Sequence, residues 1–162
     1  MNYAGIEVHG IADRIDRLAD GSLAIVDYKT GSPPSAAQVE AGYALQLGVL
    51  GLIANSGGFK RDSGVIEGEA TRFEYWSLAR SKDGAFGFIE CPVKHGRKRS
   101  GLPPEDFLPH HEDSLNQAIA RYLKGTEPFT ARENPAYPGF TDYDQLMRLE
   151  EWFNTAPGRD SK

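Results

Sequence analysis

Ala19-Asp20-Gly21 is a turn set between two segments of alternating character, and its length decides which residues of the two face each other. Residues 5–17 alternate loosely, and residues 22–29 (Ser-Leu-Ala-Ile-Val-Asp-Tyr-Lys) read as a short buried strand. A three-residue hairpin loop with glycine in the left-handed position puts Leu18 opposite Ser22. Ile15 then faces Ile25, Asp13 faces Asp27, and Ile11 faces Lys29. Side chains alternate with period 2, so one face carries Ile11, Ile15, Leu23 and Ile25 together with Asp13, Asp27 and Lys29. A two-residue Asp20-Gly21 loop would break this match.

Two carboxylates opposite each other on a half-apolar face repel by up to about 1 kcal/mol. Burial raises that cost unless a cation sits between them. Their oxygens, with backbone carbonyls and water, suit Mg²⁺ or Mn²⁺. Lys29, two residues from Asp27 on the same side, can orient a water or balance charge developing on a phosphate. The plainer reading of Asp27-Tyr28-Lys29 is an ion pair at a strand end.

Ser35 with Gln38 makes a capping box that predicts one helix to about Ala54. Val39, Tyr43, Gln46, Leu50 and Ile53 form its buried stripe, so Gln46 interrupts an apolar face. It needs partners there: the carboxylate cluster, or a neighbouring loop carbonyl. Residues 55–71 read as a loop, 72–78 as a strand, and Ser81-Lys82-Asp83-Gly84 as a turn into a strand over 86–93. A basic loop follows at 94–104 and a helix at 105–124, ended by Gly125 and Pro128. After an irregular stretch over 129–140, a last short helix is expected over 143–153, with Leu146, Leu149, Trp152 and Phe153 as its apolar stripe. The order predicts a mixed α/β domain spanning residues 1–162.

The net charge of −5 argues against nucleic-acid binding by bulk positive charge and leaves room for a local patch. That patch is Lys94, Arg97, Lys98 and Arg99, which reads as a phosphate-contacting loop or as a solvated hairpin exit. One cysteine excludes a disulfide framework and a cysteine-ligated iron–sulfur cluster within the chain. His110-His111 lacks the spacing of a zinc site, and no Walker A or dinucleotide-binding motif is present. No apolar run is long enough to span a membrane, and a cytoplasmic location is expected.

Gly10-Ile-Ala-Asp13-Arg-Ile-Asp16-Arg17, then Ile25-Val-Asp27-Tyr-Lys29-Thr-Gly31, then Gln46-Leu47, resembles the PD-(D/E)XK nuclease superfamily. More narrowly it resembles the RecB-like nuclease domain of AddB helicase–nuclease subunits. Tyr75-Trp76-Ser-Leu78, Pro128-Phe129-x-Ala-Arg132 and the 143–152 segment add to the likeness. The resemblance implies a restriction-endonuclease-like core and Mg²⁺- or Mn²⁺-dependent, exonuclease-type hydrolysis of DNA in double-strand break repair and recombination, beside an AddA-like subunit. It implies Asp13, Asp27 and the Tyr28 carbonyl as metal ligands, Lys29 as the water-activating residue, and Gln46 near coordinated water or DNA. Tyr43 is expected on the DNA side, because Leu50 stands where the family's tyrosine follows the glutamine.

The family's helix before the first strand has no counterpart here, so the chain reads as a C-terminal fragment of a longer protein, or as a degenerate remnant of the domain. An uncovered sheet face would then invite self-association. The alternative function is a catalytically incomplete, nuclease-like module that binds DNA or a partner subunit.

Overall fold

Gly21 adopts φ +86°, and Leu18 N–H donates to Ser22 O at 2.8 Å, closing the predicted three-residue turn. Asp20 Oδ1 accepts from both the backbone N (2.9 Å) and the hydroxyl (2.6 Å) of Ser22, which fixes the loop further. The computed structural model describes residues 1–61, 64–80, 84–94, 96 and 100–128.

The hairpin strands are β3 (Arg14–Arg17) and β4 (Leu23–Lys29), preceded by a small ribbon of β1 (Asn2–Tyr3) and β2 (Ile6–Glu7). Ile15 pairs with Ile25 and Arg14 with Val26, the predicted register. The ladder stops there. Hydrogen-bonded pairs fall at even positions, so the next N–H belongs to Tyr28; it donates instead to Asp13 Oδ2 at 2.9 Å. A side-chain acceptor has replaced the strand partner. Ile11 therefore does not face Lys29 on the apolar side; it is 90% exposed.

Helices α1 (Ala36–Glu40) and α2 (Gln46–Asn55) follow, then β5 (Lys60–Arg61), β6 (Gly64–Val65), β7 (Ala70–Arg80), β8 (Phe86–Glu90) and α3 (Pro104–Ala118). A π-helical turn, Ile119–Leu123, extends α3 to the predicted end. The main sheet has the order β3-β4-β7-β8, with β4 and β7 parallel and the outer pairs antiparallel. This is a mixed sheet flanked by helices, the predicted class. The 55–71 segment, expected as loop throughout, contains the β5–β6 hairpin and the start of β7. The helix expected over 143–153 lies outside the described residues.

The single helix expected over 36–54 is two. The Ser35–Gln38 capping box opens α1 as predicted. Gly42, at φ +80°, then ends it: Tyr43 N donates to Gln38 O (2.9 Å) and Gly42 N to Val39 O (3.0 Å). This is a Schellman stop, which needs a left-handed residue that glycine supplies without strain. The chain restarts at Gln46, so Gln46 opens α2 rather than sitting mid-helix.

Leu23, Ile25, Phe73 and Tyr75 from one sheet face pack with Val39, Leu47 and Leu50, and with Phe107 from α3. Phe107 stacks on Phe73 and on His111, each with ring centroids 4.3 Å apart. A Cβ on Gly48 would lie 2.1 Å from the His111 ring, so glycine permits the α2–α3 approach. The other sheet face exposes Tyr28, Leu78 and Ile89.

Candidate functional site

The end of β4 gathers the predicted polar residues. Asp27 is 3% exposed, two residues beyond the apolar Ile25 on the same face. Lys29 Nζ sits 2.8 Å from Asp27 Oδ2. From the start of α2, Gln46 Nε2 donates to Asp27 Oδ1 at 2.6 Å, while Gln46 Oε1 accepts from Lys29 Nζ at 3.0 Å. Three side chains thus close a ring. The Gly42 break makes this geometry, because it turns α2 so that its first residue faces β4. Of the two partners the sequence offered Gln46, the carboxylate cluster is the one observed.

Asp13, exposed and just ahead of β3, has one oxygen anchored on the Tyr28 N–H. Asp13 is thereby tied to the peptide that joins Asp27 to Tyr28. Tyr75, on β7 beside Asp27, forms the floor: Lys29 Nζ lies 5.6 Å from its ring centroid. Burial first, and then the neighbouring Asp27 charge, push the Tyr75 phenol up, so it stays protonated. Sequence reading missed Tyr75 as a site residue; the parallel register of β4 on β7, a non-local pairing, is what brings it in.

Tyr43, in the turn between the helices, lines a cleft of about 430 Å³ with Lys29, Pro33, Pro34 and Gln38. Lys94 is exposed, and its backbone N–H donates to Leu102 O at 2.7 Å. Arg97, Lys98 and Arg99 lie outside the described residues. Arg14 pairs with Asp16 at 2.8 Å, so its charge is engaged within the hairpin.

The donor set fits a hard divalent cation. Asp27 Oδ2 is buried with no directed hydrogen bond, its close neighbour being the Lys29 ammonium. No group of three or more His, Cys, Asp or Glu side chains suited to a metal occurs among the described residues. Two carboxylates would thus leave most positions to water, backbone carbonyl and substrate phosphate, the coordination Mg²⁺ favours.

The model of the PD-(D/E)XK nuclease superfamily matches residues 1–138, a stretch that includes every residue of this cluster. The chain belongs to the PD-(D/E)XK nuclease superfamily. Among curated proteins, an uncharacterized protein of Rickettsia bellii is 39% identical over 61 residues, 36% of this chain and 7% of the relative. One from Rickettsia conorii is 38% identical over 63 residues, 38% of this chain and 8% of the relative. An ATP-dependent helicase/deoxyribonuclease subunit of Streptococcus pyogenes serotype M49 is 70% identical over 27 residues, 17% of this chain and 2% of the relative. The chain thus matches under a tenth of the length of each of these relatives. No solved structure matches it. Among the described residues, no helix is long and apolar enough to cross a membrane.

Proposed function

We propose that this domain is a metal-dependent deoxyribonuclease that hydrolyses phosphodiester bonds from DNA ends. The observation that carries the reading is the closed Asp27–Lys29–Gln46 ring beside Asp13, in a superfamily named for this chemistry. Asp13, Asp27 and the Tyr28 carbonyl would hold Mg²⁺ or Mn²⁺, whose Lewis acidity activates water and offsets charge on the phosphate. Lys29 places an ammonium where negative charge develops on the scissile group, in a site partly shielded from water. Gln46 holds the carboxylate and the ammonium in one orientation. Tyr75 walls off the apolar side.

The finer reading is a nuclease domain of an AddB-type repair and recombination helicase–nuclease, in residues 1–162 of a longer chain and partnered by an AddA-like subunit. It is supported by the 27-residue match to a protein named as a helicase/deoxyribonuclease subunit. The exposed Tyr28, Leu78 and Ile89 fit self-association of the isolated domain.

A second reading, a nuclease-like module that binds without cutting, is favoured by Leu50. It is 5% exposed within the core, at the position where the family's tyrosine would stand. Incubation with end-labelled single- and double-stranded DNA, with Mn²⁺, Mg²⁺ or EDTA, separates the two. Loss of label that requires metal supports hydrolysis. Retention of intact DNA by folded protein supports the binding module.

A further inference from the structure

Beside Asp13 the surface carries a cleft of about 280 Å³ between residues 10–15 and the β5–β6 hairpin. Lys60 and Arg61 line it, both exposed and neither in an ion pair with a described residue. Asp13 is the one carboxylate among its lining residues. Arg14 also lines it, but its charge is engaged by Asp16. The hairpin holds its two cations in register: Lys60 pairs with Val65, Arg61 with Gly64, and Ile66 N donates to Phe59 O at 2.9 Å. Ile11, 90% exposed, stands at the same cleft. In a chain of net charge −5, two cations unpaired among the described residues and an exposed aliphatic side chain meet at the carboxylate that anchors the site.

We propose that this cleft, rather than the 94–99 loop, carries the incoming DNA strand to Asp13. Lys60 and Arg61 neutralise backbone phosphates, and Ile11 packs against a sugar or base. The proposal rests on the deoxyribonuclease reading and adds the route the substrate takes. Contacts of this kind are sequence-independent and weaken with salt as bound counterions are released.

The test is binding of a fluorescein-labelled DNA oligonucleotide across a salt series in EDTA, where metal-dependent turnover is off. For the Lys60→Gln/Arg61→Gln double variant, the slope of log affinity against log salt should fall in magnitude by about 2 relative to the unaltered chain. Affinity at low salt should drop on the order of 10-fold, with Mn²⁺ affinity unchanged. Lys94→Gln should leave the slope unchanged; a fall of about 1 would mark Lys94 as a phosphate contact and count against the cleft as the route. Unchanged slope and affinity in the double variant overturn the cleft, as does an unaltered chain that binds no oligonucleotide. If metal-dependent cleavage persists while the double variant binds normally, the cleft falls and the nuclease reading stands. If the double variant loses binding in a chain that never cleaves, the cleft stands and the hydrolytic reading falls.

Discussion

Gln46 Nε2 donates a 2.6 Å hydrogen bond to Asp27 Oδ1, joining the first residue of α2 to the buried carboxylate of β4. Through its other amide atom the same side chain accepts from Lys29 at 3.0 Å, so one neutral residue fixes both members of the ion pair.

Gln46→Leu should leave Asp27 Oδ1 buried without its donor. The expected loss is about 1–3 kcal/mol of stability, read from urea unfolding. Gln46→Glu should perturb the site differently, placing a third carboxylate against Asp27. Mn²⁺ affinity measured by calorimetry is expected to fall for the leucine variant and to rise for the glutamate variant.

Lys29 Nζ occupies the same Asp27 oxygen that a cation would take, at 2.8 Å. Lys29→Met should therefore tighten Mn²⁺ binding on the order of 10-fold, equivalent to about 1.4 kcal/mol. Weaker binding in that variant would contradict the placement of the cation at Asp27. Asp27→Asn should abolish Mn²⁺ binding with the fold retained in circular dichroism, since the carboxamide keeps the shape and loses the charge.

How much of this was legible in the chain depends on how local each signal is. The hairpin register followed from turn chemistry and period 2 over residues 14–26, and it ends before the expected Asp13–Asp27 and Ile11–Lys29 pairs. Asp27, Lys29 and their face came with it. Ile11 failed because Asp13 captures the Tyr28 N–H and ends the ladder early, a competition between side chain and backbone that alternation does not encode. The helix break was signalled by Gly42, but the 3–4 spacing from Val39 through Tyr43 to Leu50 runs across it and masked the stop. Tyr75 and the Lys60–Arg61 cleft depend on pairing across long stretches of chain. A run of basic residues at 94–99 is visible in sequence; two cations brought beside Asp13 by folding are not.

Gly42→Ala should cost about 1–2 kcal/mol, because φ +80° places Cβ against the following carbonyl. The turn it controls aims Gln46, so the loss should appear in unfolding free energy and in Mn²⁺ affinity together. A variant as stable as the unaltered chain would argue against the Schellman stop as the cause of the break.

His111 supplies the pH dependence. Burial lowers its pKa below the usual 6.5, partly offset by the Phe107 carbonyl at its Nδ1 and reinforced by the neighbouring His110, so the folded chain favours the neutral ring. The folded state then binds fewer protons than the unfolded state between the lowered value and 6.5. Stability from this residue is complete above about pH 6.5 and is lost as pH falls through that window. The Tm should drop between pH 7 and pH 5, and His111→Gln should flatten that decline. An equal slope in the variant would assign the dependence to other groups.

If Asp13, Asp27, Lys29 and Gln46 form a phosphodiesterase site, the rate of Mn²⁺-dependent degradation of end-labelled DNA must differ between the chain and its Lys29→Ala variant. The expected result is cleavage by the unaltered chain that EDTA abolishes, with a loss of about 100-fold or more in the variant while Mn²⁺ still binds. Equal rates in the two chains, or no metal-dependent cleavage by the unaltered chain, would contradict it.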